Sequence, residues 1–113
     1  MIIDERNIIL QAIAEYGVDA QTDMMIEEMS ELTKALCKYR RKESDETLDN
    51  IIEEMADVQI MLDQMMEIYA RDGKFEKYRD TKLIRLAAKL GISAVCDFDI
   101  CPDTEEGGLA PAT

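Results

Sequence analysis

Apolar residues return at steps of three and four along most of this chain, in four stretches parted by capping or helix-breaking residues. The first stretch runs from about Glu5 to Tyr16, with Asp4 as N-cap and Gly17 as stop. The second runs from about Gln21 to Arg41, where Met25, Met29, Leu32, Leu36 and Tyr39 form a stripe. Lys38, Arg40, Arg41 and Lys42 at its end complement the negative pole of a helix dipole. In the connector KESDET, Ser44 is the next N-cap, and Asp45 and Glu46 occupy the following first turn. The third stretch extends to about Asp72, with Gly73 just past its end. Its stripe is Leu48, Ile51, Ile52, Met55, Val58, Leu62, Met65, Met66 and Tyr69. A fourth runs from about Phe75 to Leu90 and stops at Gly91, with Leu83, Ile84, Leu86, Ala87 and Leu90 inward. The pattern predicts an all-α, four-helix bundle-like fold.

After Gly91 the periodicity ends. The run CDFDICPDTEEGGLAPAT holds both prolines, two adjacent glycines and five acids without a base. It reads as an acidic, flexible tail, in which Phe98 or Ile100 could still dock. The expected organisation is one domain over 1–92 and a tail over 93–113.

Composition sharpens this picture in three ways. Aromatics at 5%, with few Gly and Pro, favour helices over sheets. A bundle of 113 residues is small enough to gain stability by association, and eight methionines suit an adaptable interface, so a homodimer or homotetramer is expected. The net charge of −12 argues against a nucleic-acid binder, which needs a basic face, and suits a protein that holds cations. Cys37, Cys96 and Cys101 form no short CxxC pair, so no disulfide framework is expected; with no histidine, neither is a structural zinc site. The opening MIIDERNIIL is too charged for a signal peptide, and no apolar run could span a bilayer, so the expected location is cytoplasmic.

Two acidic pairs stand out against this background. Glu28 and Glu31 lie in IEEMSEL, and Glu54 and Asp57 in IEEMADV. Each pair is spaced i, i+3 and therefore shares a helix face. On a helical wheel Glu28 falls between Ala35 and Leu32, inside the apolar sector, with Glu31 on its edge. Glu54 sits beside Met65 and Val58 at the stripe margin, and Asp57 follows on the same side. Glu27 and Glu53 point further outward. Acids facing a core are costly unless neutralised, paired or metal-bound. No base lies within four residues of Glu54 or Asp57. Oxygen-only ligands on rigid helices suit a hard cation, so Mg²⁺, or Mn²⁺ in its place, is expected between the second and third helices. A di-iron carboxylate bundle would need Glu-x-x-His pairs, which this chain lacks.

EExxE, a spacer, then ExxD resembles the all-α nucleoside triphosphate pyrophosphohydrolases of the MazG type. The motif reads Glu27-Glu28-Met29-Ser30-Glu31, then Glu54-Met55-Ala56-Asp57. EEMADV continuing as QIMLDQM, and YGVDAQTDMMIEEMSEL before it, are similar to the short MazG-like proteins. The resemblance covers about Ile8 to Leu90. It implies Mg²⁺-dependent cleavage of a (d)NTP to the monophosphate and pyrophosphate; a nucleotide-pool housecleaning enzyme, a dCTP- or dUTP-preferring enzyme and a phosphoribosyl-ATP pyrophosphohydrolase all use similar acids, the last being the least similar around the motifs. By motif it makes Glu28, Glu31, Glu54 and Asp57 the metal ligands, with Glu27 and Glu31 the candidates for accepting the attacking water's proton. It also points to Lys82 and Arg85 in TKLIRLAAKL as phosphate contacts, and to Gln21 as a base contact. Gln11 and Asn50 are polar enough to read a base edge, and Tyr16 could stack on one. The rival reading is an acidic helical interaction module, such as a DNA mimic without catalytic activity, to which Mg²⁺ would be indifferent.

Overall fold

The computed structural model describes residues 2–93, and these form four α-helices and no strand: α1 (Glu5–Tyr16), α2 (Val18–Arg41), α3 (Asp45–Tyr69) and α4 (Lys74–Leu90). The expected tail, with Cys96, Phe98, Ile100 and Cys101, lies outside the described residues. The fold divides into two compact units, one ending at Tyr69 and one beginning at Ala70.

In the first unit the caps follow the chemistry of the sequence. Asp4 accepts a hydrogen bond from the Asn7 amide at 3.1 Å and starts α1. Gly17, at φ 91°, both ends α1 and begins α2. Its amide donates to the Ile13 carbonyl at 2.9 Å, and its carbonyl accepts from the Gln21 amide at 3.1 Å. α2 therefore starts three residues before Gln21, because one glycine serves as both caps. Between α2 and α3, Ser44 Oγ accepts from the Thr47 amide at 3.1 Å, while the Ser44 amide donates to Thr47 Oγ1 at 3.0 Å. This reciprocal arrangement is a capping box with threonine in the usual glutamate role. Thr47 Oγ1 also donates to the Lys42 carbonyl at 2.9 Å, which ties the end of α2 to the start of α3.

So short a connection makes α2 and α3 antiparallel neighbours, and their contact is the main one in the unit. Ala35, Ile51 and Met61 are buried along this seam, and Ile9 of α1 is buried with them. α1 packs on both helices and is linked to α3 by an Arg6–Glu67 ion pair at 3.3 Å. That pair is largely solvated and contributes at most about 1 kcal/mol. Two polar side chains share the core: Gln21 Nε2 donates to Gln64 Oε1 at 2.7 Å, and both residues are buried.

The seam is narrower than the stripes predicted. Met29 and Leu36 of α2, and Leu48, Ile52, Met55 and Tyr69 of α3, stay exposed. Each helix carries more apolar arc than one neighbour can cover.

In the second unit α3 has already ended at Tyr69, short of Asp72. Asp72 Oδ1 accepts from the Lys74 amide at 3.1 Å, an Asx-type turn just ahead of Gly73, the N-cap of α4, so Asp72 belongs to the turn and not to α3. α4 closes as a Schellman motif: Ile92 N donates to Ala87 O at 2.8 Å and Gly91 N to Ala88 O at 3.2 Å, with Gly91 at φ 73°. No residue of α4 is buried; Ile84, Leu86 and Ala87 are half-buried, while Leu83 and Leu90 are exposed. No helix among the described residues is long and apolar enough to cross a membrane.

Candidate metal centre

The antiparallel register of α2 and α3 runs down from the Ser44 cap to the Gln21–Gln64 bond, and the acidic pairs fall between these two points. There Glu28, Glu54 and Asp57 each bring one carboxylate oxygen within 4.8 Å of the other two. Glu28 and Glu54 are half-buried and Asp57 is exposed, so the cluster sits at the rim of the seam and opens outward. One oxygen of Glu54, Oε2, is buried and has no hydrogen-bond partner. A buried carboxylate oxygen without a donor is unfavourable. The same atom would be satisfied by a cation, and the all-oxygen donor set fits a hard one.

The electrostatics agree with the geometry. Partial burial pushes the Glu28 carboxyl above the ordinary carboxylate range, and Asp57, Glu54, Glu27 and Glu31 push it further. Glu54 is raised by the same partial burial, then by Asp57, Glu31 and Glu53. Glu28 and Glu54 are thus each harder to ionise than a free carboxyl.

Glu31 is exposed and close enough to be felt by Glu54, but it is not one of the three converging ligands. The four acids read from the sequence are thus arranged as three together and one beside them. Glu27 is exposed on α2, and Glu53 is exposed on α3. Glu53 lines an open cavity of about 380 Å³ with Lys38, Glu46, Thr47, Asp49 and Asn50.

The polar residues singled out for a base fare differently. Asn50 lines that cavity, one helical turn before Glu54. Gln11 donates to Asn7 Oδ1 at 3.2 Å within α1, and Tyr16 is exposed. Gln21 is only 7% exposed, and its Nε2 donates to Gln64 Oε1 at 2.7 Å. Gln64 carries no motif. Its signal is positional: it falls on the α3 stripe beside Met61 and Met65, where a polar residue needs a partner. Lys82 and Arg85 both lie on α4, in the second unit. Lys82 is exposed; Arg85 is half-buried, and its Nε is buried without a hydrogen-bond partner.

An antiparallel helical hairpin that brings three carboxylates together at its rim defines a candidate divalent-cation site in an all-α protein. Comparison of the chain with protein-family models, curated proteins and solved structures gives no match.

Proposed function

We propose that the chain is a Mg²⁺-dependent nucleoside triphosphate pyrophosphohydrolase, converting a (d)NTP and water to the (d)NMP and pyrophosphate. The observation that carries this reading is the convergence of Glu28, Glu54 and Asp57 around an unpartnered, buried Glu54 oxygen. Its second support is the resemblance of EExxE and ExxD, here residues 27–31 and 54–57, to the MazG type.

In this reading Glu28, Glu54 and Asp57 hold the cation, and Glu31 completes the set from the edge. Mn²⁺ would substitute. A bound divalent ion supplies charge neutralisation at the phosphate oxygens and lowers the pKa of a water molecule. Glu31 and Glu27 are exposed beside the cluster, and either carboxylate can accept a proton from the attacking water. Lys82 and Arg85 are assigned by resemblance to the phosphates, where their charges would offset the negative charge developing on the leaving pyrophosphate. Asn50 lines the open cavity with Lys38 and Glu53 and can read a base edge. The assembly is a homodimer or homotetramer, the location is cytoplasmic, and the role is nucleotide-pool housecleaning.

Pyrophosphate release over a panel of canonical and modified dNTPs, with and without Mg²⁺, tests this. Mg²⁺-dependent release from at least one member is expected, and its loss in Glu54→Gln. An inert protein whose melting temperature ignores Mg²⁺ would replace this reading with the acidic interaction module.

A further inference from the structure

Charge is unevenly spread along this chain. α4 carries six of its 13 bases and only two of its 25 acids. At about 100° per residue, Lys74, Tyr78, Lys82, Arg85 and Lys89 fall within a sector of about 80°, and Glu76 and Asp80 lie on the opposite face. Tyr78 and Lys82 are exposed along this stripe, and Lys74 meets Asp72 only in a solvated contact at 4.0 Å. Arg85, on the same stripe, is half-buried, and its Nε is buried without a hydrogen-bond partner. The sequence that follows α4 has the inverse character. Asp97, Asp99, Asp103, Glu105 and Glu106 fall within ten residues that hold no base.

We infer that the acidic segment 97–106 docks along the basic stripe of α4 in the same chain, with its carboxylates against Lys82 and Arg85. The contact itself does not depend on the catalytic reading. A consequence rests on that reading: the segment and a substrate's phosphates compete for the same two cations.

Three observations favour this segment as the occupant. The first is charge. A free polyanion approaching a chain of net charge −12 is repelled at long range, whereas a tethered one meets the stripe at an effective concentration on the order of millimolar. The second is reach. Arg85 and Lys82 lie about 9 and 14 Å back from Gly91 along the helix axis. Asp97 is six residues past Gly91, a span of up to about 20 Å, so the first acid of the segment can reach both bases. The Schellman hydrogen bonds of Ile92 and Gly91 also bend the chain off the axis of α4, so that it does not simply run on away from the stripe. The third is the Arg85 guanidinium. A buried donor without an acceptor is unfavourable, and a carboxylate is the acceptor that its planar fork fits best.

Zero-length carbodiimide coupling of the full chain, in low salt and with isotopically labelled and unlabelled protein mixed, tests the contact. Carboxylates of 97–106 are expected to join Lys82 and Lys89 within one chain about tenfold more often than Lys34, Lys38 and Lys42, a preference that should fade near about 0.5 M salt. Even coupling to all the lysines, or links only between chains, overturns the proposal. Metal-free binding of inorganic tripolyphosphate gives a second readout. Changing the five acids of the segment to their amides should lower its dissociation constant about tenfold, and adding Lys82→Gln and Arg85→Gln should erase that gain. An unchanged dissociation constant overturns the contact. So does an equal gain on neutralising Glu5, Glu15, Asp19, Asp23 and Glu43 instead, which would be an effect of net charge. A wild-type chain that holds anionic vesicles or duplex DNA as tightly as the neutralised one also overturns it, since its stripe then stands open to an outside partner. Steady-state kinetics reads only the consequence: competition predicts a lower KM at equal kcat in the neutralised chain. A protein that hydrolyses no triphosphate ends the catalytic reading and leaves the coupling result to judge the contact.

Discussion

Replacing Gln64 with leucine would keep most of its volume and remove the acceptor for Gln21. Gln21 and Gln64 are 7% and 4% exposed, so water cannot freely take the lost partner's place. Their bond is 2.7 Å long and joins residues 43 apart in sequence across the α2–α3 seam. An orphaned buried amide costs about 1–3 kcal/mol. In a domain of this size each kcal/mol moves the midpoint by about 4–8 °C, so Gln64→Leu should lower the melting temperature by roughly 4–24 °C. Gln21→Leu should do the same, since it orphans Gln64. The double Leu replacement removes both polar groups together and should recover most of the loss, because two apolar groups of similar shape leave nothing unsatisfied. Thermal melts of the four proteins, followed by circular dichroism without metal, complete the cycle. Single mutants within about 2 °C of wild type, or strictly additive losses, would refute a buried amide pair. Kinetics of Gln21→Leu adds a second readout: a base contact would raise KM beyond anything the stability loss explains.

Other outcomes follow from the carboxylates. Glu28 and Glu54 are raised above their unfolded values, so within that window the folded protein binds more protons than the unfolded one. Metal-free stability should therefore fall as pH rises through the window, and Glu54→Gln should flatten that slope in melts from about pH 4 to 7; an unchanged slope would place the coupling elsewhere. Added Mg²⁺ should raise the wild-type melting temperature but not that of the Glu54→Gln, Asp57→Asn double mutant, and an equal shift in both would show the site to be misplaced. Glu31→Gln should leave metal-free stability equal to or above wild type while pyrophosphate release falls at least about a hundredfold; a clear stability loss would make Glu31 a structural partner. Lys82→Ala and Arg85→Ala should each lower kcat/KM about tenfold or more at saturating Mg²⁺, and no change in either would remove α4 from phosphate binding.

Most of the helical framework was legible because caps are local. Asp4, Gly17, Ser44, Gly73 and Gly91 each act within a few residues of their own position. The differences arose where one residue had two neighbours to serve: Gly17 closing one helix and opening another, and Asp72 turning back onto the Lys74 amide when the pattern assigned it to α3. The pairing of Glu28 with Glu54 and Asp57 was legible from i, i+3 spacing on facing stripes. The displacement of Glu31 from the trio was not, because a wheel gives direction and not distance along the neighbouring helix. The stripes also overstated the core. Ile52 and Met55 look as inward as Ile51 in sequence, and only packing decides which arc meets the partner helix. The Gln21–Gln64 bond was out of reach for a related reason. A polar residue on an apolar stripe announces a need for a partner without saying which one.

Gly17 is all that separates α1 from α2, and no atom lies within 4 Å of where its Cβ would stand. Alanine there meets no obstacle in space; it is opposed only by the backbone angle, since φ 91° is rarely adopted by L-residues. The simplest relief is to give up the bend. A 12-residue and a 24-residue helix would then run on as one rod, on the order of 55 Å long. In that rod α1 would project away from its own α3, and the groove it vacates could receive the α1 of a neighbouring chain. The glycine elbow therefore decides whether the first helix closes its own molecule or becomes an arm exchanged between molecules.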